Sequence, residues 1–140
     1  MELKKYILAI YFGFLMHLII AIWNGFFGSS PGADMDAAGL FGFAIDVSTD
    51  LEFEDFEIGY VPYINLLGII FHYTIPSLFL ASLISCFAWL WSSHILIKIL
   101  DLMGATSRAK FQAALINSLY PASILFTSVT LREPFQLLFL

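Results

Sequence analysis

Two carboxylates separated by a single residue, Asp34 and Asp36, are the side chains whose type and spacing best suit chemistry in this chain. In an extended or irregular segment both would project to one side, a geometry able to bind a divalent cation or to let one acid act as general base. On a helix they would diverge by about 200°. Spacing alone favours a plainer interpretation, in which Asp36 caps a helix and Asp34 is solvated.

These two acids begin a strongly acidic segment. Of the 11 Asp and Glu residues in the chain, eight lie in it: Asp34, Asp36, Asp46, Asp50, Glu52, Glu54, Asp55 and Glu57. The six that follow Asp36 are most simply a solvated face that keeps the segment out of a bilayer. They do not have the spacing of an EF-hand.

A second pair of interest, Arg132 and Glu133, follows an apolar run near the end of the sequence. An arginine at the outer end of a membrane span can snorkel to the interface as an anchor. Its guanidinium can equally hold a phosphate or pyrophosphate at the membrane surface, because its fork geometry matches those groups. Position alone leaves both interpretations open.

The composition decides where these residues must be held. The 140 residues are 60% hydrophobic and only 12% charged, and the mean hydropathy is +0.88. A water-soluble core of this size cannot hide so much apolar surface, so the sequence predicts an all-α integral membrane protein. A net charge of -5 without a basic patch argues against nucleic-acid binding. The single cysteine, Cys86, gives no disulfide framework or thiolate metal site.

Three apolar runs are long enough to predict transmembrane helices: about 6–27, 75–98 and 111–130. The third is expected to bend at Pro121. The apolar residues 135–140 resemble the start of a fourth span. The sequence therefore predicts a single membrane domain, 1–140, that is the N-terminal part of a larger protein.

The segment between the first two spans, 28–74, is predicted to be an ordered loop. Asp36 precedes a short apolar run and is expected to be the N-cap of an interfacial helix. Thr49, with Glu52 three residues later, has capping-box spacing and predicts a second short helix. Residues 61–74 are apolar but short, and we expect them to be interfacial or re-entrant.

The distribution of charge predicts the topology. With three spans, one side of the membrane receives five of the basic residues: Lys4, Lys5, Lys98, Arg108 and Lys110. The acidic loop then lies on the other side with Arg132 and Glu133. By the positive-inside rule, the N-terminus and the turn at 99–110 are cytoplasmic and the loop is extracytoplasmic.

His17 lies near the middle of the first span, where a polar side chain should face protein or water rather than lipid. A histidine that is hydrogen-bonded inside the helix bundle is favoured over a proton relay or a ligand. Small residues in the spans could support close helix packing: Gly13, Ala81, Ser82, Ser85 and Ala88.

Three stretches of the sequence carry a resemblance: PGADMDAAGLFGFA (Pro31 to Ala44), YINLLGIIFHY (Tyr63 to Tyr73) and LYPASILFTSVTLREPF (Leu119 to Phe135). Together with the basic start and first span, their order resembles the N-terminal part of GT-C type membrane glycosyltransferases and related bacterial polysaccharide-assembly proteins. Such proteins have many more spans than this chain.

The resemblance implies a function and its residues. It implies a multi-pass protein of the bacterial inner membrane that takes a sugar from a polyprenyl-phosphate donor. It implies that Asp34 or Asp36, in the first extracytoplasmic loop, is the catalytic base. It also implies that Arg132 and Glu133 lie near the lipid phosphate.

Two alternatives stay open. The first is a polymerase or ligase of lipid-linked oligosaccharides, which would share the topology. The second is a small non-enzymatic membrane protein that acts by helix association. Expected partners are membrane lipid and the polyprenyl-phosphate sugar donor, together with further C-terminal spans or other membrane subunits.

Overall fold

The computed structural model describes residues 5–28, 34–51 and 61–128, and every regular element in these ranges is a helix. The helices are α1 (Lys5–Phe26), α2 (Asp34–Asp50), α3 (Val61–Tyr73), α4 (Leu78–Leu102), α5 (Ser107–Leu119) and α6 (Pro121–Thr127). The predicted all-α class is confirmed for the described part of the chain. By length and composition, α1 and α4 could each cross a membrane.

Helices α1, α4 and α5 form a bundle. The start of α1 meets the end of α4, because Tyr6 and Ile97 belong to one buried cluster. The end of α1 meets the start of α4, where Asn24 donates to Ser82 at 3.1 Å. The two long helices are therefore antiparallel. Because α5 begins at the same end as α1, with Phe111 packed on that cluster, α1 and α5 run in the same direction.

The segment predicted to be the third span contains two shorter helices, α5 and α6, that meet at Tyr120. Among the described helices, only α1 and α4 are long and apolar enough to cross a membrane. Tyr120 has an extended backbone (φ -66°, ψ 118°), and Pro121 occupies the first turn of α6. Proline has no N–H to donate and its ring clashes with the preceding turn, so one continuous helix cannot pass this point. The Tyr120 N–H closes α5 on the Ile116 carbonyl at 2.9 Å. The interruption lies where the sequence predicted a bend.

Helices α2 and α3 pack on each other and on the first turns of α4. Their closest approach is at Gly68, where an added Cβ would lie 2.4 Å from a methyl group of Val47. The shared core is apolar: Ala44, Val47, Tyr63, Ile64, Leu67, Phe71 and Ala81. The segment predicted to be interfacial or re-entrant is α3, which runs back beside α4.

Candidate functional site

The two candidate catalytic acids lie in the first turn of α2. This helix begins at Asp34, so the expectation that Asp36 is an N-cap outside the helix is wrong. Acidic residues are favourable in a first helical turn because they face the positive end of the helix dipole. The helix can therefore start two residues earlier than predicted. Residues two apart on a helix are separated by about 200° around its axis, so the backbone does not provide the one-sided geometry of an extended pair.

The helix start predicted at Thr49 is also wrong, and most of the second helix expected from there lies in residues 52–60, outside the described residues. Thr49 lies in the last turn of α2, and its hydroxyl donates to the Ile45 carbonyl at 3.1 Å. Buried contacts at Ala44 and Val47 hold this part of α2 on α3, which carries the helix past the predicted boundary. It ends at Leu51, whose φ of 52° is outside the right-handed helical region.

Helix α2 is held against α1 directly behind the candidate acids. Ala37 follows Asp36, is only 5% exposed, and packs with Ile20 of α1. Ile20 precedes the last residue of α1, Phe26, by six positions, which corresponds to about 9 Å along the axis. The start of α2 is thus fixed beside α1, close to its C-terminal end.

The other end of α2 is held by α3. The His72 ring donates through Nδ1 to the carbonyl oxygen of Ser48 at 2.8 Å. The rings of Phe41 and Phe71 meet edge to face with their centres 5.5 Å apart. These contacts, with the approach at Gly68, make α2 and α3 a docked helical pair on the acidic side.

The helical pair is joined to α4 by one buried hydroxyl contact. Tyr63 Oη lies 3.3 Å from Ser85 Oγ, and the Ser85 hydroxyl also contacts the Ala81 carbonyl at 3.3 Å. A carbonyl can only accept, so Ser85 donates to Ala81 and accepts from Tyr63. Ser85 is seven residues, or about 10 Å, beyond the first residue of α4. The start of α3 therefore lies beside the interior of α4.

The described basic residues gather at the opposite end of the bundle: Lys5, Lys98, Arg108 and Lys110. They lie at the start of α1, the end of α4 and the start of α5, three places joined by one apolar cluster. An ion pair links Lys110 to Asp101 across the short turn before α5. The separation of charge predicted from the sequence is thus present between the two ends of the described bundle.

The remaining predicted site residues, Arg132 and Glu133, lie outside the described residues. So do four acids of the predicted solvated face: Glu52, Glu54, Asp55 and Glu57. The structure therefore places the backbone of Asp34 and Asp36 but does not test their meeting with Arg132. Within the described ranges, no three His, Cys, Asp or Glu side chains come together in a way that could hold a metal ion.

Sequence reasoning missed a buried polar seam between α1, α4 and α5. It contains Asn24, Ser82, Ser85, Ser93, Ser118 and the predicted bundle histidine, His17, all at most 5% exposed. His17 donates through Nδ1 to the Gly13 carbonyl at 2.7 Å and stacks on Trp89. Its expected place as a hydrogen-bonded histidine inside the bundle is confirmed. The available signal was spacing, since polar residues three or four apart on an apolar helix share one face.

The seam links α5 to α4 through a short relay. Asn117 Nδ2 donates to Ser93 Oγ at 2.8 Å, and the Ser93 hydroxyl donates to the Trp89 carbonyl at 2.8 Å. Beside it, Gly13 lets α1 approach α5 so closely that an added Cβ would lie 2.5 Å from the Ser118 Cβ. Small and polar residues therefore make the helix contacts here, as is typical of membrane helix pairs.

Comparisons of the chain with protein-family models, with curated proteins and with solved structures find no match.

Proposed function

We propose that this chain is a membrane module of a GT-C type glycosyltransferase that uses a polyprenyl-phosphate-linked sugar in cell-surface polysaccharide or glycan assembly. The proposal starts from the resemblance of three sequence stretches to that superfamily. One structural observation supports it most: α2, which begins with Asp34, is held against α1 at Ala37 and Ile20. The candidate base is thus carried on an anchored helix instead of a free loop.

The position of this anchor suits a substrate bound to a lipid. If α1 crosses the bilayer, its 22 residues extend about 33 Å, close to the thickness of the hydrocarbon core. The contact at Ile20, about 9 Å before the end of α1, then lies in the half of the bilayer that faces the acidic loop, the side on which the proposal puts the phosphate of a polyprenyl donor. A carboxylate there is in reach to remove a proton from an acceptor hydroxyl.

The positive charge that this chemistry requires at the donor phosphate comes from the end of the sequence. In the proposal, Arg132 binds the donor phosphate through its guanidinium fork and Glu133 lies beside it. Asp36 is the favoured base and Asp34 the alternative. The same two acids are the residues that would bind a divalent cation if the reaction requires one.

The structure supplies an argument against simple helix association as the function. The small residues that could mediate it are buried within this chain: Gly13, Ala81, Ser82, Ser85 and Ala88. The space beside Gly13 is already filled by Ser118 of α5. These positions therefore serve internal packing, which supports a folded module over a chain that dimerises through the same residues.

The topology is tested by labelling single cysteines with a membrane-impermeant thiol reagent in a Cys86→Ala background. Suitable exposed positions are Thr74, in the turn between α3 and α4, and Ser107, at the start of α5. Ser48 is less suitable because it is only 9% exposed. We expect labelling of Thr74→Cys from outside intact cells and of Ser107→Cys only after permeabilisation. Labelling of Ser107→Cys from outside would refute the proposed orientation.

The catalytic proposal is tested by an assay of sugar transfer from a polyprenyl-phosphate donor. The assay uses membranes from cells that express the complete open reading frame. Asp36→Asn keeps the shape of the side chain but removes the base, and loss of general-base catalysis typically lowers the rate about 10²–10⁴-fold. Asp34→Asn is the matched comparison. Arg132→Lys should lower turnover as well, because lysine keeps the charge but loses the fork.

Protein abundance is measured beside activity, so that a folding defect is not read as a catalytic one. Full transfer activity in the Asp34→Asn, Asp36→Asn double variant would refute the catalytic role of the α2 acids. Transfer of whole oligosaccharides with no transfer of single sugars would favour the polymerase or ligase alternative.

A further inference from the structure

One face of α4 changes its environment halfway along the helix. Leu80 and Ile84, near the start of α4, pack against the core of the α2–α3 pair. The same stripe continues at helical spacing through Phe87 and Trp91. These two side chains are 54% and 66% exposed. The face is therefore covered by α3 as far as the contact between Tyr63 and Ser85. Beyond it the face is largely exposed, with Phe87 against the ring of Phe14 of α1.

The open part of the face forms a groove of about 410 Å³. Its lining residues all come from α4: Phe87, Leu90, Trp91, His94, Ile95 and Lys98. From Phe87 to Lys98 the helix rises about 16 Å, which is close to half of a 30 Å hydrocarbon core. A groove of this length matches one extended acyl chain of a single leaflet.

The groove ends at a positive charge. Lys98 is exposed at its outer end, and the ion pair at this end of the bundle joins Lys110 to Asp101 instead. Lys5 and Arg108 lie at the same end. The groove therefore has an apolar floor on the outer face of α4 and a cation at the level of a lipid headgroup.

We propose that this groove binds an anionic phospholipid, with one acyl chain along the α4 face and the phosphate on Lys98. The proposal rests on the membrane location proposed above. It agrees with the positive-inside orientation, because that orientation puts the groove in the cytoplasmic leaflet, where anionic lipids concentrate. A basic pocket beside transmembrane helices on that side is a recurring form of lipid headgroup site.

A second copy of the chain fits this face less well. Copies inserted in the same orientation and related by a twofold axis would bring Lys98 of one copy towards Lys98 of the other. Like charges held at the same depth oppose that contact, whereas a lipid phosphate satisfies the charge. Charge complementarity therefore selects the phospholipid.

The experiment uses quenching of tryptophan fluorescence by lipids with brominated acyl chains. The full chain is reconstituted in phosphatidylcholine vesicles that contain phosphatidylglycerol, and the bromine is carried by one lipid or the other. In a Trp23→Phe background, Trp91 is the accessible reporter, because Trp89 is fully buried. We expect brominated phosphatidylglycerol to be enriched at Trp91 over brominated phosphatidylcholine by about fivefold, the factor that one lysine supplies beside an anionic headgroup.

The matched control changes an equal charge at the same end of the bundle. Lys98→Gln should abolish the enrichment, whereas Arg108→Gln, an exposed change at the start of α5, should leave it in place. Equal quenching by both lipids, or equal loss in both variants, would overturn the headgroup site while leaving membrane insertion intact.

A Trp91→Phe variant separates the remaining outcomes, because Trp23 is 54% exposed near the other end of α1. Quenching of Trp23 with Trp91 shielded from both lipids would show that protein covers the groove, and would overturn the lipid proposal alone. Quenching of neither tryptophan would overturn both this proposal and the proposed membrane location.

Discussion

The imidazole of His17 is stacked on the indole of Trp89, with ring centres 3.9 Å apart and planes inclined by 23°. Both side chains are fully buried. The stack joins the two helices long enough to cross a membrane, α1 and α4, near their midpoints. It is therefore the natural place to compare the contribution of packing between the helices with that of the hydrogen bond from His17 to Gly13 within α1.

Substitutions at His17 should separate the two contributions. His17→Phe keeps an aromatic ring against Trp89 but removes the hydrogen bond within α1 to the Gly13 carbonyl, for which we expect a loss of about 1 kcal/mol. His17→Ala also removes the ring and leaves a cavity, for which we expect a loss of about 3 kcal/mol. Unfolding in mixed micelles with increasing SDS, followed by circular dichroism, measures both. Equal losses would contradict the dominant role of packing.

Gly13→Ala should destabilise the bundle. The added methyl group would lie 2.5 Å from the Ser118 Cβ and 3.0 Å from its Cα, so α1 and α5 must separate. Overpacking of this kind typically costs about 1–3 kcal/mol. Gly39→Ala is the matched control because its Cβ would meet nothing within 4 Å. This control should be neutral or stabilising by up to about 1 kcal/mol through helix propensity. The same SDS titration compares them, and a stabilising Gly13→Ala would show that the helices are not in close contact.

Tyr63→Phe should loosen α3 from α4 without unfolding the bundle. The change removes the hydroxyl that donates to Ser85 but keeps the ring in the apolar core. A double-mutant cycle with Ser85→Ala should give a coupling of about 0.6 kcal/mol. Hydrogen exchange of the α3 amides is the direct readout, with α1 amides as the internal reference. Exchange that rises equally in both helices would contradict a local docking role.

Ser93→Ala should be more harmful than the small change suggests. It leaves the half-buried Asn117 amide without its acceptor, whereas the Trp89 carbonyl keeps the Ser92 hydroxyl as a donor. An unsatisfied buried polar group costs about 1–3 kcal/mol. Adding Asn117→Leu to Ser93→Ala removes the stranded amide, so the double variant should recover part of the lost stability. Thermal unfolding in detergent ranks the stability of the unchanged protein, Ser93→Ala and the double variant. A double variant less stable than Ser93→Ala would contradict the relay.

The helical pair on the acidic side shows where sequence reasoning was limited. Capping patterns placed helix boundaries at Asp36 and Thr49, because Asp and Thr are common caps. In the structure both lie inside α2. A local pattern could not anticipate that Ala37 packs on α1 and Val47 packs on α3. Those distant contacts stabilise a helix that begins before Asp36 and continues through Thr49, beyond both predicted boundaries.

The sequence by itself determined the all-helical class, because hydropathy acts locally. Of its three predicted spans, two are span-length helices in the structure, and the bend predicted at Pro121 is an interruption between two helices. The sequence also separated basic from acidic segments along the chain. Only the tertiary structure decided that α3 returns beside α4, that Gly13 meets Ser118, and that His17 stacks on Trp89. These contacts join residues far apart in sequence, and their partners are selected by shape and hydrogen bonding across helices, for which helical periodicity carries no signal.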